Sequence, residues 1–327
     1  MVVRGRLKGV EAEFIDFHVH MPYWIRDPVK SCRRLLLEEL TAGAISAVVI
    51  GVDASLETIK SRVTPREITE AAMEDFDYLA FQQVGYIGRM IMEPEKFLDD
   101  FLGDFHKHRR GPEDLRACRS VEPRFFYTIV SYKPGMEEEV AQIVRSDSSI
   151  LGVKIFPTFH FTRPDSQRLY PVYKAVEEAG GLVVVHTGCD PGPWELTRFC
   201  REARPSYVAR AAKRFENLVF VIAHLGAYSA LKPGIYFEET LKALSLENVY
   251  ADTSAADPFF AAMAVKEGYA DKILFGSDYP YVSGYNVAMA VKDILSLDID
   301  NNDKEAVLRY NAEKLLNSLP RGRQKPG

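Results

Sequence analysis

Two histidines stand two residues apart in Asp16-Phe17-His18-Val19-His20, a stretch whose apolar and aromatic residues read as a strand. Side chains alternate faces along a strand, so both imidazoles point the same way and can grip one metal ion. His186 closes the apolar run LVVV, and His224 closes LVFVIA; each is followed by residues that turn the chain. Asp278 ends the last apolar run in Ile273-Leu274-Phe275-Gly276-Ser277-Asp278-Tyr279-Pro280. An unpaired carboxylate there is costly to bury, which implies a cation partner, although the same sequence also reads as a turn or cap. Lys154 ends Gly152-Val153-Lys154 with three readings: a carbamate bridging two metals, an ammonium for a substrate anion, or a structural partner of Asp252 or Asp278. Asp252 reads as a carboxylate that orients a ligand histidine. The further pair His106 and His108 falls in a helical pattern, where a separation of two splays the rings, and reads as surface.

These residues need elements that bring them to one place. Short apolar runs occur at 13–20, 45–53, 124–132, 150–157, 181–188, 218–226, 248–254 and 272–279. Eight strands close a barrel, and near-continuous apolar runs mark parallel strands covered on both faces. Helical periodicity fills the gaps at 31–43, 136–146, 169–179, 203–216, 237–246, 259–269, 286–297 and 304–317. The expected fold is a (β/α)8 TIM barrel, in which functional side chains gather at the C-terminal ends of the strands. One stretch exceeds the simple unit: residues 54–123 contain helical patterns at about 65–82 and 94–109 and read as an insertion starting on the catalytic face. It is expected to be a lid, a dimer contact or a solvated hairpin. No repeat or linker divides the chain, so residues 1–327 read as a single domain.

Composition narrows the partners. Forty-one Lys and Arg against 46 Asp and Glu, interspersed, leave a net charge of −5 and no footprint for nucleic acid. A small-molecule substrate is the default, with no membrane partner and room for a homo-oligomer. The N-terminus lacks an apolar signal core, no window approaches the roughly 20 apolar residues of a membrane span, and a cytoplasmic location is expected. The four cysteines, Cys32, Cys118, Cys189 and Cys200, form no C-x-x-C pair and are expected to be reduced thiols.

The strand-one HVH, VVVHTG at strand five, VIAHLG at strand six and LFGSDYP at strand eight resemble the amidohydrolase superfamily, and more narrowly its amidohydrolase-related (amidohydrolase 2) branch. GVKIFPTFHF, NVYADTSA and the closing helix from Tyr310 to Leu316 add to the likeness, which spans the chain apart from residues 54–123. The resemblance implies a divalent metal, commonly zinc with manganese, iron or cobalt as alternatives, held by His18, His20, His186 and Asp278, with His224 beside them. A second metal enters if Lys154 is carbamylated. The branch contains hydrolases of lactones and amides and non-oxidative decarboxylases of aromatic or muconate-type acids.

The leading expectation is a metal-dependent hydrolase of a small cyclic ester or amide. A divalent metal lowers the pKa of bound water to about 7, Asp278 accepts and returns a proton, and His224 bonds the carbonyl oxygen. The alternative is a decarboxylase using the same residues. Substrate contacts are expected from Lys154, Tyr23 and Trp24 after strand one, His160 and Arg163 after strand four, and Trp194 after strand five; the Arg163 fork suits a carboxylate. A barrel kept as a scaffold would have lost ligands, and none of the expected positions is missing.

Overall fold

The computed structural model describes residues 12–79 and 85–323. Eight parallel strands follow one another around a barrel in chain order: β1 Phe14–Val19, β2 Ala44–Ile50, β3 Phe126–Ser131, β4 Ile150–Ile155, β5 Leu182–Val185, β6 Val219–Ile222, β7 Val249–Asp252 and β8 Ile273–Leu274. Helices alternate with them, giving the expected (β/α)8 barrel. The apolar runs become largely buried strands because helices cover them outside and other strands face them within, with Ile45 of β2 left exposed.

The eighth strand is shorter than its apolar run. Beyond Leu274 the backbone leaves regular pairing, and Asp278 takes a positive φ of 57° before the cis Tyr279–Pro280 bond. The seam with β1 is nevertheless bonded: Phe17 N donates to Phe275 O at 2.8 Å, and Asp278 N to His18 O at 2.9 Å. Gly276 makes this approach achievable, since a Cβ there would meet the His18 Cβ at 2.7 Å.

Among the described residues, three apolar clusters divide the work. The largest joins strands to the surrounding helices through residues such as Leu35, Val172, Val208 and Phe220. A second packs Phe17, Val48, Ile129 and Val184 with Leu315 and Leu316 of the C-terminal helix. The third belongs to the segment between β2 and β3, where Ile59, Ile68, Phe97 and Phe105 pack with Phe156, Phe159 and Trp194 from the loops after β4 and β5.

That segment is more broken than its periodicity suggested. Its helices span Leu56–Arg62, Pro65–Glu74, Phe76–Leu79, Gly85–Met92 and Pro94–Phe105, while Pro112–Val121 returns to the barrel and packs on Pro28–Ala42. The expected helical pattern at 80–82 lies outside the described residues. Polar bonds pin the insertion to the catalytic-face loops: the buried Asp75 carboxylate accepts from Thr197 N at 2.7 Å and from Lys232 Nζ at 2.7 Å. The insertion is thus a docked wall on the barrel.

The cysteines are not free thiols. The structure pairs Cys32 with Cys118 and Cys189 with Cys200. The first pair is 86 residues apart in sequence and meets because Pro28–Ala42 packs on Pro112–Val121, a tertiary contact that local spacing cannot register. No helix among the described residues is long and apolar enough to cross a membrane.

Candidate active site

His18 lies at the end of β1 and His20 directly follows it, and both are buried. His18 Nδ1 lies 2.8 Å from Asp252 Oδ2 at the end of β7, and His20 Nδ1 lies 2.9 Å from the carbonyl of Ile50. A carboxylate and a carbonyl only accept, so each ring carries its proton on Nδ1 and turns the Nε2 lone pair toward Asp278. The two Nε2 atoms lie 3.6 and 3.3 Å from Asp278 Oδ1. Ligand atoms of His18, His20 and Asp278 therefore fall within 4.8 Å of one another, a set able to hold a metal ion. A second such group, His18, His224 and Asp252, is already joined by hydrogen bonds through Asp252 and Ser254, so it orients rings.

His186 and His224 stand beside this centre, and among the described residues His186 belongs to neither group. His224 donates its backbone N–H to Asp252 Oδ1 at 3.1 Å, and its Nδ1 lies 2.8 Å from the Ser254 carbonyl, which fixes the proton on Nδ1. Its Nε2 faces His186 Nδ1 at 3.0 Å. His186 Nε2 lies 2.9 Å from Asp190 Oδ2, off the hydrogen-bonding angle but close enough for the carboxylate to favour a proton on that nitrogen. The donor set fits a divalent metal: neutral imidazoles, one carboxylate, and partners behind them that fix the tautomers.

Charge states agree. Burial, then the neighbouring Lys154, holds His18 well below the ordinary histidine range; burial, then His186 and His18, does the same to His224. Burial works to raise Asp190, but the close approach of the His186 ring and the hydrogen bond from Thr158 outweigh it, and the carboxyl is lowered. Lys154 is fully enclosed, its Nζ 3.3 Å from His18 Nε2, and burial pushes its pKa down to about 8 against the pull of Asp252 and Asp278. Two of the residues adopt left-handed backbone, His224 at φ 60° and Asp278 at φ 57°; such conformations cost about 1–3 kcal/mol and cluster at functional sites.

A cavity of about 270 Å³ opens over this centre. His18, His20, His186, His224 and Asp278 form its floor, and Phe101, Phe105, Phe156 and Phe159 make much of its wall. Of the residues expected to touch substrate, Tyr23 lines the cavity and Lys154 sits beside its floor. The others do not line it. Arg163 points to the surface, bidentate to Asp165 at 3.0 and 2.7 Å and over the Tyr207 ring, so its fork is already filled. Trp24 is exposed beside Tyr23, and Trp194 is fully buried behind Phe159. His160 is held within the wall, its Nε2 3.1 Å from the Asp53 carbonyl.

Sequence reasoning missed Asp190, Tyr281 and His108, all of which line the cavity. Asp190 had a signal: an acid four residues after His186 in a catalytic-face turn. His108 had none: it is half-buried at the cavity, not a surface residue. The chain tightens into a short turn at His106–His108, which directs this ring, but not that of the exposed His106, against Tyr23 at 4.2 Å.

A parallel eight-stranded barrel with buried histidines and carboxylates gathered at its C-terminal mouth has the architecture of a metal-dependent barrel enzyme. The chain belongs to the amidohydrolase family, whose amidohydrolase 2 model matches residues 15–317. That family comprises metal-dependent hydrolases and decarboxylases. No curated protein matches the chain. Among solved structures, it is similar to an uncharacterized TIM-barrel protein from Bordetella bronchiseptica, 19% identical over 95% of this chain and 100% of that one, with a TM-score of 0.63. A 5-carboxyvanillate decarboxylase from Novosphingobium aromaticivorans, complexed with manganese, is 13% identical over 94% and 96% of the two chains, with a TM-score of 0.56. A probable 2-pyrone-4,6-dicarboxylic acid hydrolase from Acinetobacter baumannii is 14% identical over 92% and 98%, with a TM-score of 0.56.

Proposed function

We propose that the protein is a metal-dependent hydrolase of a small cyclic ester, amide or similar carbonyl compound. The observation that carries this reading is the convergence of the His18 and His20 Nε2 lone pairs on Asp278 at the edge of an open cavity. His18, His20, His186 and Asp278 would hold the ion, zinc by the preference of neutral imidazoles, with manganese, iron or cobalt as alternatives. When bound, the ion supplies Lewis acidity to a carbonyl and a lowered pKa to water. Asp278 takes a proton from the attacking water and returns it to the leaving group. Neutral His224, with its only N–H bonded to Ser254, presents a lone pair and so supports the cation better than it donates to a carbonyl oxygen. Lys154, enclosed beside His18, adds positive charge near the reacting carbonyl.

A second reading, non-oxidative decarboxylation of an aromatic acid, is favoured by the wall. Phe156 and Phe159 stack at 5.3 Å, and Tyr23 and Tyr281 at 6.0 Å, a lining suited to a planar ring and to loss of a charged group. Purified protein should carry a divalent ion that His18→Ala loses; a folded His18→Ala variant with undiminished metal would refute the site. Parallel assays on lactones and on hydroxybenzoates, following ring opening and carbon dioxide release, separate the two chemistries.

A further inference from the structure

Among the described residues, the insertion brings one ionisable side chain to the cavity: His108, in the turn that ends Pro94–Phe105. Its ring lies 4.2 Å from Tyr23 and 5.4 Å from Tyr281, and Tyr281 is 4.7 Å from His20. One tyrosine ring thus separates this imidazole from a candidate ligand. The lining around it holds no lysine or arginine, so a substrate group pointing away from the centre meets mostly phenylalanine and tyrosine rings.

The ring is only partly supplied with partners. Nδ1 is buried without a hydrogen bond, and Nε2 lies 4.0 Å from Asp104 Oδ2, beyond hydrogen-bond reach. With Nδ1 enclosed, Nε2 is the nitrogen left with capacity for a ligand. The Asp104 carboxylate favours the proton on it, which makes Nε2 a donor without a hydrogen-bond partner on a residue of the cavity lining. Burial holds His108 below the ordinary histidine range, so the ring meets substrate as a neutral donor.

We propose that His108 is a specificity-determining residue that donates a hydrogen bond from Nε2 to an oxygen on the far end of a ring-shaped substrate. It selects rings carrying a carboxylate or hydroxyl opposite the reacting group. The idea deepens the proposed function and rests on its placing of the reacting end at the His18–His20–Asp278 centre. A buried polar site rejects a ligand lacking the matching group far more strongly than an apolar pocket rejects an extra one, so one such donor is enough to select.

The test is calorimetric binding of benzoate and of terephthalate, which adds a carboxylate at the opposite end, to the metal-loaded full chain. Terephthalate should bind wild type about tenfold or more tightly than benzoate, the scale of one hydrogen bond to a charged group. His108→Phe, which keeps a ring and removes the nitrogens, should bring the ratio near one, and His108→Gln, which restores an N–H, should recover part of it. Equal affinities in wild type, or a preference that survives in His108→Phe, would overturn the proposal. Metal content, measured on the same samples, judges the centre separately. A wild-type chain that binds no divalent ion defeats the underlying reading, whereas one that binds the ion and both probes alike defeats only the role of His108.

Discussion

Asp252 touches several groups at once: His18 Nδ1 through Oδ2 at 2.8 Å, and through Oδ1 the backbone N–H groups of His224 and Ser254, both at 3.1 Å. The Ser254 hydroxyl also donates to it. One carboxylate therefore sets the tautomer of His18 and the position of His224, and its charge raises the basicity of the nitrogen on the far side of the His18 ring. Partners of this kind typically contribute about 10–100-fold to metal affinity. Asp252→Asn keeps the shape and removes the charge, so it should weaken metal binding on that scale, read by titration against a competing chelator. Unchanged affinity would reduce Asp252 to a structural bracket. An acid on the seventh apolar run was legible in the sequence as a neighbour for a strand-end histidine, and the contact with His18 is present. The bonds of Asp252 to two separate loops were not legible, because they depend on the left-handed turn at His224.

Between elements, the junction of β1 with helix Pro28–Ala42 carries an unusual pair. Asp16 and Glu39 are both fully buried, and both Glu39 oxygens lack partners of ordinary hydrogen-bond geometry. Burial, opposed by hydrogen bonds from Ser277 and His18, pushes Asp16 up to about 7; burial and then the charge of Asp16 hold Glu39 well above the carboxylate range. Two carboxyls in one apolar site cannot both ionise cheaply, so the folded chain keeps protons that the unfolded chain releases near pH 4. Folded pKa values raised above unfolded ones mean stability present at low pH and lost as pH rises, here from about 4 through about 7. Glu39→Gln removes one of these protons from the balance. Its melting temperature should fall less than that of wild type between pH 5 and pH 8, and parallel falls would show that the pair does not govern the loss. The strands themselves were readable at this scale, since parallel strands covered on both faces leave unbroken apolar runs. The insertion was not: helical periodicity at 94–109 says which face is apolar, but not that Phe101, Phe105 and His108 fold back over the barrel mouth. The partner that occupies Arg163, Asp165, stands two residues away in sequence, yet only a folded loop shows the guanidinium turned from the cavity.

For the whole molecule, the two disulfides are long-range constraints of different reach. Cys32–Cys118 closes a loop spanning 86 residues that contains β2 and the insertion, and Cys189–Cys200 closes one of 11 beginning three residues after His186. In the chain-entropy model these crosslinks destabilise the unfolded state by about 4–5 and about 3 kcal/mol. Both are buried, which shields them from reductants. Replacing Cys32 and Cys118 together by serine should lower the melting temperature more than replacing Cys189 and Cys200, because the longer loop regains more freedom. Metal affinity should move the other way. Cys189 directly precedes Asp190, whose carboxylate stands against His186, so releasing that loop loosens the partner of a candidate ligand while the barrel stays closed. Melting curves and chelator titrations on both double variants test the two halves of the argument together. Equal melting temperatures would remove the loop-length account, unchanged metal affinity in the Cys189 and Cys200 variant would uncouple that loop from the centre, and four titratable thiols in denatured, unreduced protein would refute the pairing itself.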